Sequence, residues 1–209
     1  MNAKMVSILK NFKKRNIEGY YVKTSEEART IALSMVEEGS VVSWGGSKTL
    51  DDTGIREGLF ELEKQGKITI IDPYNQKDPD SNYEARRQGL LADVYFLSAN
   101  AVTTDGELAN IDGTGNRVAA LTFGPKKVIV VAGLNKMTDN LEEAIKRVKE
   151  VACPKNAERL GKKTPCALTG HCCDCLLPTE TICSSIVTTR FSTKPGRVNV
   201  ILINEDLGF

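Results

Sequence analysis

Short runs of β-branched and apolar residues, bounded by turn residues, constrain the fold of this chain most. They are Ser40 to Trp44, Lys67 to Ile71, Asp93 to Leu97, Lys127 to Val131, Ser185 to Thr189 and Val198 to Ile203. KVIVV (127–131) is the strongest of them. Each reads as a buried strand. Between most of them lie helical patterns. Met5, Ile8, Leu9 and Phe12 predict an amphipathic helix over 4–18. Thr24 or Ser25 caps a second helix through Ile31, Leu33, Met35 and Val36, which Gly39 stops. A third runs from Leu50 to Gln65 and ends at Gly66. Residues 81–91, 117–123 and 141–151 complete the set, the last with acids before bases to suit its dipole. Such alternation predicts an α/β domain: an open, mostly parallel sheet with helices on both faces. At 209 residues the chain is short for an eight-fold barrel. One domain, 1–209, is expected, with a cysteine-rich metal-binding segment at 164–184.

In open α/β sheets, ligands sit beyond the carboxyl ends of the strands. Two segments fall there. Gly45, Gly46, Ser47, Lys48 and Thr49 follow a strand and precede a helix. Glycines admit close backbone approach, and amides at a helix start favour an anion. This is either a cradle for phosphate or carboxylate, or a tight turn with a hydroxyl cap. It is not a Walker sequence. The second segment, 98–117, gathers Asn100, Asp105, Glu107, Asn110, Asp112 and Arg117, with a hairpin turn expected at Asp105-Gly106. Gly113, Thr114, Gly115 and Asn116 form a candidate amide nest leading into a helix. Ligand binding is therefore assigned to both segments. Asn100, Asp105, Glu107 and Asp112 are the catalytic candidates, and Asp105 and Asp112 serve equally well as solvated turn residues.

Cys166, Cys172, Cys173, Cys175 and Cys183 lie within TPCALTGHCCDCLLPTETIC. Cys166, Cys172, Cys175 and Cys183 give the spacing C-x5-C-x2-C-x7-C and are the expected metal ligands. Four thiolates suit an iron–sulfur cluster, expected as 4Fe-4S, or tetrahedral zinc. Cys173 is a spare ligand or a packed thiol, and Cys153 is assigned to packing. His171, the sole histidine, flanks a ligand. A histidine-rich zinc site is therefore excluded, and so is a Ser–His–Asp triad without His171.

Lys plus Arg is 28 and Asp plus Glu is 27, a balance that gives no reason to expect nucleic-acid or membrane binding. Lys4, Lys10, Lys13, Lys14 and Arg15 read as a solvated helix face. No apolar run reaches the length of a membrane helix, and the first residues lack a signal-peptide pattern. A cytoplasmic protein is expected, and there clustered cysteines favour metal or redox chemistry over disulfides.

The segments GGSKTL (45–50), ADVYFLSANAVTTDGELANIDGTGNRVAALTFGPKKVIVVAGLNK (92–136), CPKNAERL (153–160), TPCALTGHCCDC (164–175) and NEDLGF (204–209) together resemble the lactate-utilisation (LUD) domain family, in its stand-alone form with a cysteine tail. The resemblance implies a fold similar to the ribose-5-phosphate isomerase and coenzyme A transferase superfamily. It also implies a link to L-lactate oxidation within a system containing iron–sulfur partners, hence a small anionic ligand and an electron-transfer partner. In that superfamily a glycine- and serine-rich loop holds a phosphate or similar anion; Gly45, Gly46, Ser47 and Thr49 match it. Related methylthioribose-phosphate isomerases use an aspartate where Asn100 stands here, and a carboxamide cannot act as their base. Glu107 is a candidate for the transferase nucleophile. The alternatives are an isomerase or transferase-like enzyme with structural zinc, and a regulatory metal- or redox-sensing protein.

Overall fold

The computed structural model describes residues 3–209. In chain order its elements begin with α1 (Ala3–Lys14), β1 (Ile17–Val22), α2 (Ser25–Ser34), β2 (Val41–Trp44), α3 (Lys48–Asp52), α4 (Ile55–Lys64) and β3 (Thr69–Ile71). Next come α5 (Pro79–Gly89), β4 (Val94–Leu97), β5 (Ala101–Thr103), β6 (Leu108–Asp112), α6 (Asn116–Thr122) and β7 (Lys127–Gly133). A 3-10 turn (Leu134–Lys136) leads to β8 (Met137–Thr138), α7 (Leu141–Arg147), α8 (Cys153–Arg159), α9 (Pro165–Thr169), β9 (Ser185–Thr189) and β10 (Val198–Ile203).

Six strands form a sheet in the order β1-β10-β7-β4-β2-β3, and every neighbouring pair is parallel. Side chains alternate across it, as strand geometry requires. Tyr95, Leu97, Val128, Val130, Val200 and Leu202 meet Ile8 and Phe12 of α1 and Leu121 of α6 on one face. Val94, Phe96, Ile129, Val131 and Ile201 meet Ala28, Ala32, Leu50, Ile55 and Leu59 of α2, α3 and α4 on the other. The expected open α/β architecture with helices on both faces is present.

A second sheet, ordered β8-β5-β6-β9, is one the sequence reading misses as a sheet. Its β5–β6 hairpin turns at Asp105-Gly106 as expected, with Gly106 at φ 88°. Ala144 of α7, Val148, Ala152 and Cys153 cover its Ala101, Ala109 and Ile111.

Four boundaries differ from expectation. Helix α1 stops at Lys14 because Asn16 takes φ 54°, and Ile17–Val22 becomes an edge strand on β10. Helix α2 closes at Ser34, short of Gly39. The expected 50–65 helix is two helices parted at Gly54, φ 64°. The 141–151 helix continues through a π turn, Val148–Ala152, into α8. Pro154, which has no N–H to give to the preceding turn, sits in the first turn of α8, where the widened turn accommodates it.

Candidate functional site

A cleft of about 70 Å³ opens beyond the carboxyl ends of β2, β4 and β7. Its lining includes Gly46, Ser47, Thr49, Asn100 and Arg117, which the sequence singles out. It also includes Ser98, Lys136, Asn156, Arg159 and Phe209, which sequence reasoning missed.

Lys136 is the central group. It is 4% exposed, yet its Nζ donates to Thr49 Oγ1 at 2.8 Å and Ser98 Oγ at 3.0 Å, and it joins no ion pair among the described residues. Burial, then Arg147 and Arg117, push its pKa down to about 7, with Asp52 acting the other way. Arg147 donates to the carbonyls of Asn135 at 3.1 Å and Asn100 at 2.6 Å, and Arg159 donates to Asn156 Oδ1. Neither joins an ion pair among the described residues, which leaves positive charge in the cleft (Arg159) and beside it (Arg147). Lys136 lies just past the strongest strand, and that position was the signal available in the sequence.

The glycine-rich turn is built tightly. Gly45 N–H donates to Phe96 O at 3.0 Å, and a Cβ on Gly45 would fall 2.2 Å from Arg117 Cγ. Gly46 N–H donates to the Tyr74 hydroxyl. Ser47 Oγ caps α3 by accepting from Leu50 N–H at 3.3 Å, while Lys48 pairs with Asp52. The closing segment walls the cleft: Asn135 and Leu207 exchange hydrogen bonds, and Gly208, at φ 60°, lies against Thr49 and Lys136.

In the second segment, Asp112 is 5% exposed and serves as an internal anchor. Its carboxylate accepts from the amides of Thr114, Gly115 and Val118 and pairs with Arg117 Nε at 3.2 Å. The expected nest therefore closes on Asp112 itself. Thr114 accepts from Arg86 and Asn116 donates to the Tyr95 hydroxyl, so both face a neighbouring region. Asn100 Oδ1 accepts from Ile111 N–H at 3.1 Å. Asp105 and Glu107 lie at the opposite end of the hairpin. There Arg15 reaches the Asp105 carbonyl at 2.6 Å and Glu107 at 3.5 Å, so the fold does not bring them to the cleft.

The cysteine segment packs beside this loop. A Cβ on Gly113 would meet the Ile182 backbone at 3.2 Å. Lys149 pairs with Asp174 at 2.6 Å, and Lys162 donates to Thr179 O at 2.8 Å, tying the segment to the α7–α9 region. Cys183 Sγ lies 3.5 Å from Cys153 Sγ. That contact, burial and the nearby Cys172 and Cys166 push the Cys153 thiol up, while the same contact brings Cys183 down. Cys166 is buried with its sulfur 3.3 Å from Thr164 Oγ1. Cys175 faces Thr181 at 3.9 Å, and Cys173 and His171 are exposed. Among the described residues no three His, Cys, Asp or Glu side chains form a ready metal-binding group. The soft donor set and its two touching thiols nevertheless fit a thiophilic metal. Cys153 and the cleft residue Asn156 stand one turn apart on α8.

Comparison with known proteins places this geometry. No curated protein matches the chain in sequence. A DUF162 family protein from Deinococcus radiodurans is similar in structure, with TM-score 0.53, 12% identity and 96% of each chain covered, which shows a shared fold. Ribose 5-phosphate isomerase from Plasmodium falciparum has TM-score 0.37 and 14% identity over 63% of this chain and 66% of that one. An acyl-CoA transferase from Escherichia coli O157:H7 has TM-score 0.38 and 17% identity over 54% of this chain and 25% of that one. No helix among the described residues is long and apolar enough to cross a membrane. The LUD domain model matches residues 6–203, and the chain belongs to the LUD domain family.

Proposed function

We propose that this LUD protein is a cytoplasmic, redox-associated component of lactate utilisation that binds a small organic anion in the cleft. One observation carries the reading: Lys136 is buried at the cleft with two hydroxyl partners and, among the described residues, no carboxylate paired with it. A buried ammonium without a counter-charge is costly, and a bound anion removes that cost. A cleft of about 70 Å³ has space for roughly five water-sized groups. That suits a three-carbon hydroxy or oxo acid better than a sugar phosphate or coenzyme A.

The adjacent cysteine segment is the second part of the proposal. Cys166, Cys172, Cys175 and Cys183 are the ligand set that spacing suggests for a 4Fe-4S cluster, which when bound would supply one-electron chemistry in communication with an electron-transfer partner. Asn156 and Arg159 of α8 face the ligand side, and Cys153 opens the same helix. A second reading, structural zinc beside an isomerase- or transferase-like cleft, has one observation in its favour. The 3.5 Å sulfur separation is close to the edge of a zinc tetrathiolate tetrahedron, roughly 3.8 Å for Zn–S bonds of about 2.3 Å.

Two measurements test the reading. Isothermal titration with L-lactate, pyruvate and inorganic phosphate should show binding to the wild-type protein, weakened in Lys136→Met. Anaerobically purified protein should be brown and contain iron. Absence of binding for all three anions removes the cleft assignment, and a colourless protein with stoichiometric zinc selects the second reading.

A further inference from the structure

We infer that Cys153 supplies a thiolate to the metal centre, in the place that sequence spacing gives to Cys175. The inference rests on the reading of a cysteine-ligated metal made above. Spacing cannot find Cys153, because it stands 30 residues before Cys183 and outside the cysteine-rich segment.

The fold brings the two together. Cys153 is the first residue of α8, directly after the π turn Val148–Ala152. A π turn rotates the helix that follows it relative to an unbroken α-helix, and such turns concentrate at functional positions. Here it hands the chain to a helix whose first side chain meets Cys183. Cys153–Cys183 is the one thiol–thiol contact among the described residues, whereas every other cysteine sulfur with a close partner faces oxygen.

The surroundings select the remaining donors. Cys166 and Cys172 are the two cysteines that neighbouring contacts hold toward α8 and the π turn. Cys166 stands on α9, which packs on α8. Cys172 belongs to the stretch that the Lys149–Asp174 pair fastens to the π turn. Cys175 differs in standing in a turn closed on itself: Thr181 Oγ1 lies 3.9 Å from its sulfur, accepts from Leu177 N–H at 2.8 Å and donates to Cys175 O at 3.2 Å. That small turn holds Cys175 to its own loop. The centre would therefore take one thiolate from the start of α8, one from α9 and two from the loop, fastening the cysteine segment to the helix that lines the cleft.

Four full-length variants, Cys153→Ser, Cys153→Ala, Cys175→Ser and Cys183→Ser, are purified anaerobically beside the wild type. Iron and zinc are measured by elemental analysis, with the visible spectrum and a thermal melt for each. Metal content should fall by roughly an order of magnitude in both Cys153 variants and in Cys183→Ser, and stay near wild type in Cys175→Ser. Far-UV circular dichroism at low temperature checks that the Cys153 variants keep their fold. If they are folded and hold full metal while Cys175→Ser loses it, Cys153 is a packing residue and the spacing-based ligand set stands. A wild-type protein free of both metals overturns the metal reading and this inference together.

Discussion

Thr49 and Lys136 are 87 residues apart in sequence, and their side chains meet at 2.8 Å beyond the carboxyl ends of β2 and β7, the two strands that flank β4. Thr49 lies at the start of α3 and Lys136 ends the 3-10 turn after β7, so the parallel sheet itself brings them together. The contact leaves a lysine buried with hydroxyl oxygens as its partners.

The first prediction concerns stability against pH. The folded-state pKa of Lys136 is about 7, below the ordinary lysine value of 10.5. Below pH 7 the group is protonated in both states, and the folded protein bears the full cost of a buried charge. Between about 7 and 10.5 the unfolded chain holds a proton that the folded protein lacks, so this group makes stability rise with pH. The full span is on the order of 5 kcal/mol as an upper bound. Lys136→Met should flatten that rise and be more stable than wild type near pH 6. Urea unfolding from pH 6 to 9.5 measures both; a parallel rise in the two proteins contradicts the assignment.

Ligand affinity should show the opposite trend. An anion in the cleft prefers the protonated ammonium, so binding of L-lactate, a monoanion throughout this range, should weaken as pH rises through 7. A hydrogen bond to a charged group contributes about 1.5–3 kcal/mol. Lys136→Met should therefore weaken binding at pH 6 roughly tenfold to a hundredfold and remove the pH dependence. Titration calorimetry at pH 6 and 8.5 decides it, since proton uptake on binding at the higher pH is expected only with the lysine present.

Much of this was legible beforehand, and the exceptions share a cause. Val128–Val131 and Val198–Ile203 are buried on both faces, so continuous apolar runs betray them. Ile17–Val22 is an edge strand with Glu18, Gly19 and two tyrosines between its apolar ends, and its partner β10 lies far along the chain. No local pattern reports such a pairing. The turn 45–49 and the polar loop were visible because glycine and asparagine mark them. Lys136 and Arg147 were not, because a lysine or arginine in sequence reads as solvated surface until the fold draws it inward; Arg159 stays exposed, and only the packing of α8 brings it to the cleft. For the same reason Asp105 and Asp112 look alike in sequence, although one sits at an exposed hairpin turn and the other is buried and holds three backbone amides.

Asp112 gives the third prediction. It satisfies three backbone amides and Arg117, with both side chains largely buried. Removing one member of a buried pair strands the other charge, at a cost of about 3–5 kcal/mol. Asp112→Ala should lower stability by that order and release Arg117. Asp105→Ala, at the exposed turn, should change stability by less than about 0.5 kcal/mol. Denaturant midpoints for the two variants make the comparison; equal losses would mean that Asp112 is no anchor.

The final prediction isolates the close approach at Gly45. A methyl there would lie 2.2 Å from Arg117 Cγ and 2.6 Å from its Cδ. The arginine stem cannot swing freely, because its head is held by Asp112 and by the Ile111 carbonyl at 2.8 Å. Gly45→Ala must therefore displace either the turn or the guanidinium, and such overpacking costs typically about 1–3 kcal/mol. Anion binding should weaken with it, since Arg117 lines the cleft. In the background of Arg117→Ala the Cγ and Cδ clashes are gone and only the Cβ contact at 3.3 Å remains, so the added cost of Gly45→Ala should shrink to less than about 1 kcal/mol. A double-mutant cycle read by urea unfolding gives that coupling directly, and additive losses would show that Gly45 is required for some reason other than Arg117.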